Sequence, residues 1–381
     1  MYLGHTEENM ALSFSEEQAM ILDGAREFCS AKSDIESVRK LLTSDQGFNA
    51  DVWKEIVELG WLGVAIPENF GGSGLGVGSV VPIAECMGKN LLATPFFSTT
   101  LAAQAILRAG TPGQQDLWLP KIAEGAIATL ALIESEDWGN DTLTCTASEM
   151  ADGLVLEGAK MFVTDAAVTD LFVVAVNYQG NSALVLVNKD QVDSKAIQHQ
   201  TLIDETKRSS IIDFTGITVS KDAMLDISKT DSTLRDIKLI GALLVAAEAT
   251  GSTAAALDLT VEYLKTRKQF GKLIGSYQSL KHPTVDMLNQ MEAARGLVYH
   301  AATIVGDDSL DKDMEVACRM AKVQATEALL FAGDRAVQFH GGMGFTYECD
   351  AQLYIRRAQW SQQQFGDAYH HRKRLVPLLL D

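Results

Sequence analysis

Proline is scarce in this chain of 381 residues, with seven in all, which leaves room for long uninterrupted helices and argues against a disordered chain. Cysteine is scarcer still. Cys29, Cys86, Cys145, Cys318 and Cys349 are odd in number, far apart and without Cys-x-x-Cys spacing. That excludes a disulfide framework or thiolate metal site and points to a reducing cytoplasm. Positive charge is also in deficit: 32 Lys and Arg face 50 Asp and Glu, for a formal net charge of −18. Such a chain repels phosphate backbones and anionic lipid surfaces, so neither nucleic acid nor a membrane is an expected partner.

No long apolar run is free of charge. The most apolar stretch, residues 239–257, has Glu248 at its centre, which would cost roughly 2.5–3.5 kcal/mol in a bilayer, so a buried helix is expected there. Residues 1–10 carry Glu7 and Glu8 and lack the basic start and apolar run of a signal peptide. A dinucleotide-binding Gly-x-Gly-x-x-Gly is missing too. The loop holding Gly71, Gly72, Gly74, Gly76 and Gly78 comes nearest, but its frame ends on Ser79, and it reads as a tight surface loop with positive φ.

What is present suffices for a large core, with 47% hydrophobic and 22% charged residues. To about residue 128 the pattern is helical. Ser15 followed by Glu16 and Glu17 predicts a capped helix through Phe28. Further helices are predicted over 51–59 and, beyond Pro67 and the glycines, near 80–87. Between about 130 and 228 the runs are strand-like, at 154–156, 160–164, 171–176, 183–187 and 210–219, with Asp152-Gly153 and Tyr178-Gln179-Gly180-Asn181 as hairpin turns. From about 234 helical periodicity returns and extends through 301–339. Helices, strands, then helices predict an α+β fold: an N-terminal helical domain over 1–128, a middle antiparallel β domain over 129–232 and a C-terminal helical-bundle domain over 233–381.

Two stretches of the last segment carry chemistry. One holds Arg267, Phe270, Gly271 and, past Ile274, Gln278; the other runs Gln338-Phe339-His340-Gly341-Gly342-Met343-Gly344-Phe345. A guanidinium grips a pyrophosphate with paired donors that lysine lacks. Glycines let backbone amides approach a phosphate where a β-carbon would obstruct. Singly, Arg267 reads as a solvated charge at a helix end and Gly341-Gly342 as a helix-ending turn. Together they resemble the Arg-x-x-Phe-Gly…Gln and Gln-x-x-Gly-Gly-x-Gly-Phe signatures of the flavin-dependent acyl-CoA dehydrogenases. Trp61-Leu62-Gly63, Pro67-Glu68 and Phe70-Gly71-Gly72 are similar to that family's first segment, so the resemblance covers nearly the whole chain.

The resemblance implies FAD as cofactor, an acyl-CoA substrate, an electron-transferring flavoprotein as acceptor and a tetrameric assembly. In it Arg267, Phe270, Gln278, Gln338, Gly341 and Gly342 hold the flavin of a neighbour, either a homologous partner subunit or a second copy of this chain. In the β domain, Phe162 and Thr164 stand where the family covers and hydrogen-bonds its flavin ring; by alternation alone they are ordinary strand residues.

The likeness breaks at two places. Residues 130–141 stand where the family has its Thr-Glu-Pro-x-x-Gly-Ser-Asp loop. Glu134, Gly139 and Asp141 match, but Ile133 replaces the hydroxyl residue that bonds the flavin and Ser135 replaces proline. Glu136 and Asp137 add negative charge near an anionic cofactor. The reaction also needs a carboxylate base for the α proton. The two places where family members carry it correspond to Phe365, ahead of Gly366, and to Ala242, beside Gly241, and neither side chain accepts a proton. Asp367 and Glu248 are the nearby substitutes. His340, His370 and His371 are acid–base candidates by type, the last two reading as part of a solvated basic helix with Arg356, Arg357, Arg372 and Arg374. The catalytic residue stays unassigned.

The losses have a direction: residues that serve a neighbour's flavin remain, while those for the chain's own flavin and base are partly gone. That is similar to the heteromeric acyl-CoA dehydrogenases of bacterial sterol side-chain breakdown, in which one subunit carries the base and the other completes the flavin site. Two readings stay beside it: a self-sufficient homotetramer with a displaced base, and a non-catalytic scaffold. The intact Arg-x-x-Phe-Gly motif disfavours the related flavin monooxygenase branch.

Overall fold

The structure, a computed structural model, describes residues 15–138, 142–151, 153–306 and 309–380. Helix α1 (Glu16–Lys32) starts on a reciprocal cap, in which Ser15 Oγ accepts from the Gln18 N–H and Gln18 Oε1 accepts from the Ser15 N–H. It runs past Phe28 because nothing before Ser33 breaks it. Asp34 and Asn49 cap α2 (Ile35–Leu42) and α3 (Ala50–Glu58). The glycine loop after Pro67 is fixed by one close approach: a β-carbon at Gly72 would stand 1.9 Å from the Ile66 carbonyl oxygen. Beyond it lie α4 (Val81–Lys89), α5 (Phe96–Ala109) and α6 (Pro112–Ala123).

The strands are β1 (Ala128–Ala131), β2 (Thr146–Met150), β3 (Gly153–Glu157), β4 (Ala159–Thr164), β5 (Leu171–Tyr178), β6 (Asn181–Asn188), β7 (Ile197–Gln200), β8 (Ser209–Asp213) and β9 (Thr218–Val219). The β5–β6 hairpin turns as expected at Gln179 and Gly180, both with positive φ. Asp152 lies outside the described residues, and Gly153 opens β3. The β domain is mixed rather than wholly antiparallel. β1 runs parallel to β5, and β2 meets β5 in parallel at Thr146 and Asn177. The chain between β1 and β5 is long enough for the crossover a parallel pair needs, and a four-residue strand carries no directional signal. The expected strand over 210–219 divides: β8 joins the smaller sheet β4-β8-β7, while β9, past a turn with Gly216 at φ 81°, joins the larger sheet.

Helix α7 (Ile227–Thr266) is buried at every position from 239 to 257. It is long and apolar enough to cross a membrane, but its apolar surface is spent against α4 and α9. The short hairpin β10 (Lys268–Gln269) and β11 (Lys272–Leu273) then leads to α8 (Gln278–Ile304). α9 (Lys312–His340) follows, so the helical pattern over 301–339 is two helices rather than one. α10 (Ala351–Gln363) and α11 (Ala368–Leu380) finish the bundle.

Candidate functional site

A cavity of about 50 Å³ lies where the β domain meets α5 and α10. Strand β4 shapes one wall. Lys160, fully buried, is ion-paired to Glu134, whose carboxylate also accepts from the Cys145 N–H at 3.0 Å. Burial opposes charge on Glu134, but the hydrogen bonds of Lys160 and Thr144 outweigh it and hold the carboxyl below its usual range. Glu134 is therefore occupied in tying its loop to β4. The strand register slips between Lys160 and Val163, and Phe162 takes a left-handed φ of 53°, its N–H donating to Gln200 Oε1 at 2.7 Å. For a bulky residue that conformation is costly, and a bulge of this kind re-aims a side chain. Phe162 and Thr164 both line the cavity, as alternation allows, but so does the adjacent Met161, so the bulge departs from strict alternation.

Ile133 lines the same cavity and pairs with Met161, its carbonyl accepting the Met161 N–H at 2.8 Å. Glu136 and Asp137 are exposed and line neither this cavity nor the next; Gly139, Asn140 and Asp141 lie outside the described residues. Asp165, just past β4, was not singled out from the sequence. It lines the cavity, sits at φ 55° and accepts from Ser98 Oγ at 2.7 Å. Burial pushes its carboxyl up to about 6, against Ser98, Lys207 and Arg208.

Phe365 stands at the far wall. Its ring centroid is 4.6 Å from that of Trp138 and 6.3 Å from that of Phe97, and the ring also presses on Gly241. Its backbone, at φ 56° and followed by Gly366 at φ 100°, is held by buried Lys322, whose Nζ donates to the carbonyls of Ser361, Gln362 and Gly366 at 3.0, 3.3 and 2.9 Å. Neither substitute base is available. Glu248 is buried and ion-paired to Lys207 at 2.7 Å, with Arg357 at 3.8 Å. Asp367 caps α11, accepting the His370 N–H at 2.7 Å.

Beyond Trp138 and Phe365 opens a second cavity of about 380 Å³, lined by Arg235, Lys238, Arg319 and Arg374 together with Asp231 and Glu315. The solvated basic helix expected here is only partly found. Arg372 and Arg374 are exposed, but His371 and Arg357 are buried. Arg357 is ion-paired to Asp204, and Arg356 to Glu205 at 2.7 Å. His371 Nδ1 lies 3.3 Å from Arg319, and burial, with the cations Lys322 and Arg319 beside it, pushes the imidazole down to about 2. Long-range packing, invisible in sequence, hides it.

Four of the six remaining predicted residues line a separate open groove. Arg267, Phe270, Gly341 and Gly342 line it together with His340, whose ring stacks on Tyr263 at 4.1 Å. Gln278 and Gln338 are exposed and adjoin groove residues in sequence but do not line it. Phe270 is 91% exposed at φ 53°. Gly341, at φ 64° and ψ −143°, is a position for glycine alone. Gly342 would meet nothing of its own chain within 4 Å if it carried a β-carbon, so its small size leaves room for something outside the chain. Gly344 differs: a β-carbon there would strike the Val337 carbonyl at 2.2 Å.

A helical–β–helical chain with an aromatic cavity at the domain junction and a separate arginine–glycine groove is built as a flavin-dependent dehydrogenase. The acyl-CoA dehydrogenase N-terminal domain matches residues 15–126 and the acyl-CoA dehydrogenase C-terminal domain residues 239–374. The chain is similar to acyl-CoA dehydrogenase IpdE2 of Mycolicibacterium smegmatis, 30% identical over 95% of this chain and 98% of that one. It is also similar to the caffeyl-CoA reductase-Etf complex subunit CarC of Acetobacterium woodii, at 29% over 90% and 93%. Among solved structures, a variant of the Tcur3481-Tcur3483 steroid ACAD superposes with a TM-score of 0.83 at 27% identity, over 96% of this chain and 98% of that one. The chain belongs to the acyl-CoA dehydrogenase family.

Proposed function

We propose that this chain is one subunit of an FAD-dependent acyl-CoA dehydrogenase, acting in the α,β-dehydrogenation of a thioester with a bulky acyl body. It completes the flavin site of a homologous partner subunit, and that partner brings the catalytic carboxylate. One contrast carries the reading. Where a base is expected the chain has hydrocarbon, Phe365 packed on Gly241 with Ala242 buried beside it, whereas the Arg267–Gly341–Gly342 groove is open and Gly342 meets nothing of its own chain.

FAD, when bound, accepts the hydride that leaves the β carbon. This chain's share is to bind and exclude. Arg267 pairs with pyrophosphate oxygens, the backbone at 341–342 approaches without a β-carbon in the way, and exposed Phe270 covers apolar surface on the partner. Gln278 and Gln338 offer amides beside them. In the chain's own β domain, Phe162 and Thr164 keep the shape of a ring-binding wall. The cations of the second cavity suit the phosphates of coenzyme A, while Trp138 and Phe365 screen the first cavity from it.

The likeness to a steroid dehydrogenase of two named components favours a bulky acyl group and a heteromeric assembly. The likeness to an Etf-complex subunit favours an electron-transferring flavoprotein as acceptor. In this reading the enzyme works in the cytoplasm, with domains over 1–128, 129–232 and 233–381. A self-sufficient homotetramer fits less well, because Glu248 and Asp367 are both engaged; a bare scaffold has no use for Gly342. Co-expression with a glutamate-bearing homologue tests the proposal. Bound flavin is expected in the complex and lost with R267A, and flavin unchanged by R267A would overturn it.

A further inference from the structure

His340 lines the arginine–glycine groove, and the proposed function leaves it unused. It ends α9, is nine-tenths buried, and its ring lies on that of Tyr263 with centroids 4.1 Å apart and planes 26° apart. Nδ1 stands 2.7 Å from the Ala336 carbonyl oxygen, one turn back. A carbonyl only accepts, so Nδ1 carries the proton, and the neutral ring keeps its lone pair on Nε2. Nε2 has no partner among the described residues and is not enclosed, and the open space beside the ring is the groove, of about 640 Å³. Stacking and the Nδ1 bond hold the ring from two directions, which gives this lone pair a fixed aim. No Asp or Glu is among the described residues that line the groove. Arg267 only donates, while the hydroxyls of Tyr263, Tyr277 and Ser279 and the amide of Gln269 can do either. His340 is thus the lining side chain whose free nitrogen accepts and does not donate.

A pyrophosphate oxygen is a poor neighbour for this lone pair, because it too only accepts. What suits Nε2 is a neutral donor beside the phosphates, and in a flavin dinucleotide the groups that flank them are the hydroxyls of the ribityl and ribose arms. We propose that His340 is a binding and positioning residue for the partner's flavin: Nε2 accepts a hydrogen bond from a sugar hydroxyl next to the pyrophosphate that Arg267 grips, while Tyr263 keeps the imidazole plane in place. Cation and acceptor then read neighbouring parts of one ligand, which fixes its register along the groove as charge alone does not. The inference rests on the half-site reading above and adds to it a residue that recognises the dinucleotide by its hydroxyls rather than by its charge.

The test is fluorescence titration of FAD into the deflavinated complex of this chain with the glutamate-bearing homologue, at pH 8, with subunit composition checked by mass. H340F keeps a ring on Tyr263 and loses both nitrogens. H340N can still donate to the Ala336 carbonyl but lacks the acceptor at Nε2, and H340Q can bring an amide oxygen near that place. FAD is expected to bind H340F and H340N about 3- to 10-fold more weakly than the wild type, the worth of one net hydrogen bond, and H340Q within about twofold of it. Equal affinity in the wild type and all three variants overturns the role. So does H340Q binding as weakly as H340F, which would leave His340 a space-filling ring. R267A separates the inference from the reading beneath it: flavin lost with R267A but unchanged in H340F and H340N overturns the inference alone, and flavin unchanged in every variant overturns both. Flavin hypoxanthine dinucleotide, which lacks the adenine amino group, locates the donor. The wild type is expected to keep its advantage over H340F with that analogue; an advantage seen with FAD and lost with the analogue would assign the bond to the amine and overturn the hydroxyl. Should H340F not assemble with the homologue, H340N takes its place in both arms.

Discussion

The ring of Phe365 fills the space that a β-carbon at Gly241 would need: an ideal β-carbon there would stand 2.6 Å from the ring's Cε1 and Cζ. One of the two positions at which the resemblance puts a base, Phe365, thus packs on Gly241, the chain neighbour of the other, Ala242. This chain closes that point with hydrocarbon from both sides, since Ala242 is fully buried beside Gly241.

Gly241→Ala should accordingly overpack the contact, at a cost of about 1–3 kcal/mol, read as a lowered Tm. Adding Phe365→Ala should recover much of it, because the clash is with that ring. Equal Tm values for wild type and G241A would contradict the contact.

Gly342→Leu separates the groove's role from the fold. The position is exposed and open, so thermal stability of the chain alone should change by less than about 0.5 kcal/mol. Flavin retained by the assembled complex should fall at least tenfold, since the added side chain occupies the approach. A large Tm loss with flavin intact would show a role within the chain instead.

Arg357, Asp204 and Thr206 form a buried set joining α10 to the loop before β8, with Glu248 at its edge. Arg357→Met leaves Asp204 without its cation and should cost about 3–5 kcal/mol in urea unfolding. Adding Asp204→Asn should return part of the loss. A cost below about 1 kcal/mol would mean that water reaches the pair.

His371 gives a pH signature. Its folded-state value, about 2, lies below the ordinary 6.5, so between those values the unfolded chain binds a proton that the folded chain refuses. Stability should rise with pH across that window and fall as pH drops below about 6.5. His371→Leu should flatten that slope near pH 5–6, measured by urea unfolding at several pH values; an unaltered slope would place the titration elsewhere.

The groove was legible in the sequence because its parts are local: an arginine, a positive-φ glycine and their neighbours keep their meaning within one turn of chain. So was the buried helix around Glu248, though not the Lys207 that makes its charge tolerable. Asp165, Lys322 and His371 were missed or misread because their surroundings come from distant elements: α5 for the first, the α10–α11 turn for the second, Arg319 on α9 for the third. Phe162, singled out by resemblance, lines the first cavity, but period-two alternation cannot announce the slip of register beside it. The direction of β1 was likewise unreadable, for its residues say buried and nothing more.

The account's central claim is that this chain supplies half of a flavin site and no base. Its most direct test is the visible spectrum of the chain purified alone, with flavin per chain counted after denaturation and an acyl-CoA added without oxygen. The account predicts well under one flavin per chain and no bleaching, with both appearing once a glutamate-bearing homologue is co-expressed. One flavin per chain, bleached by the thioester in the absence of any partner, would contradict it.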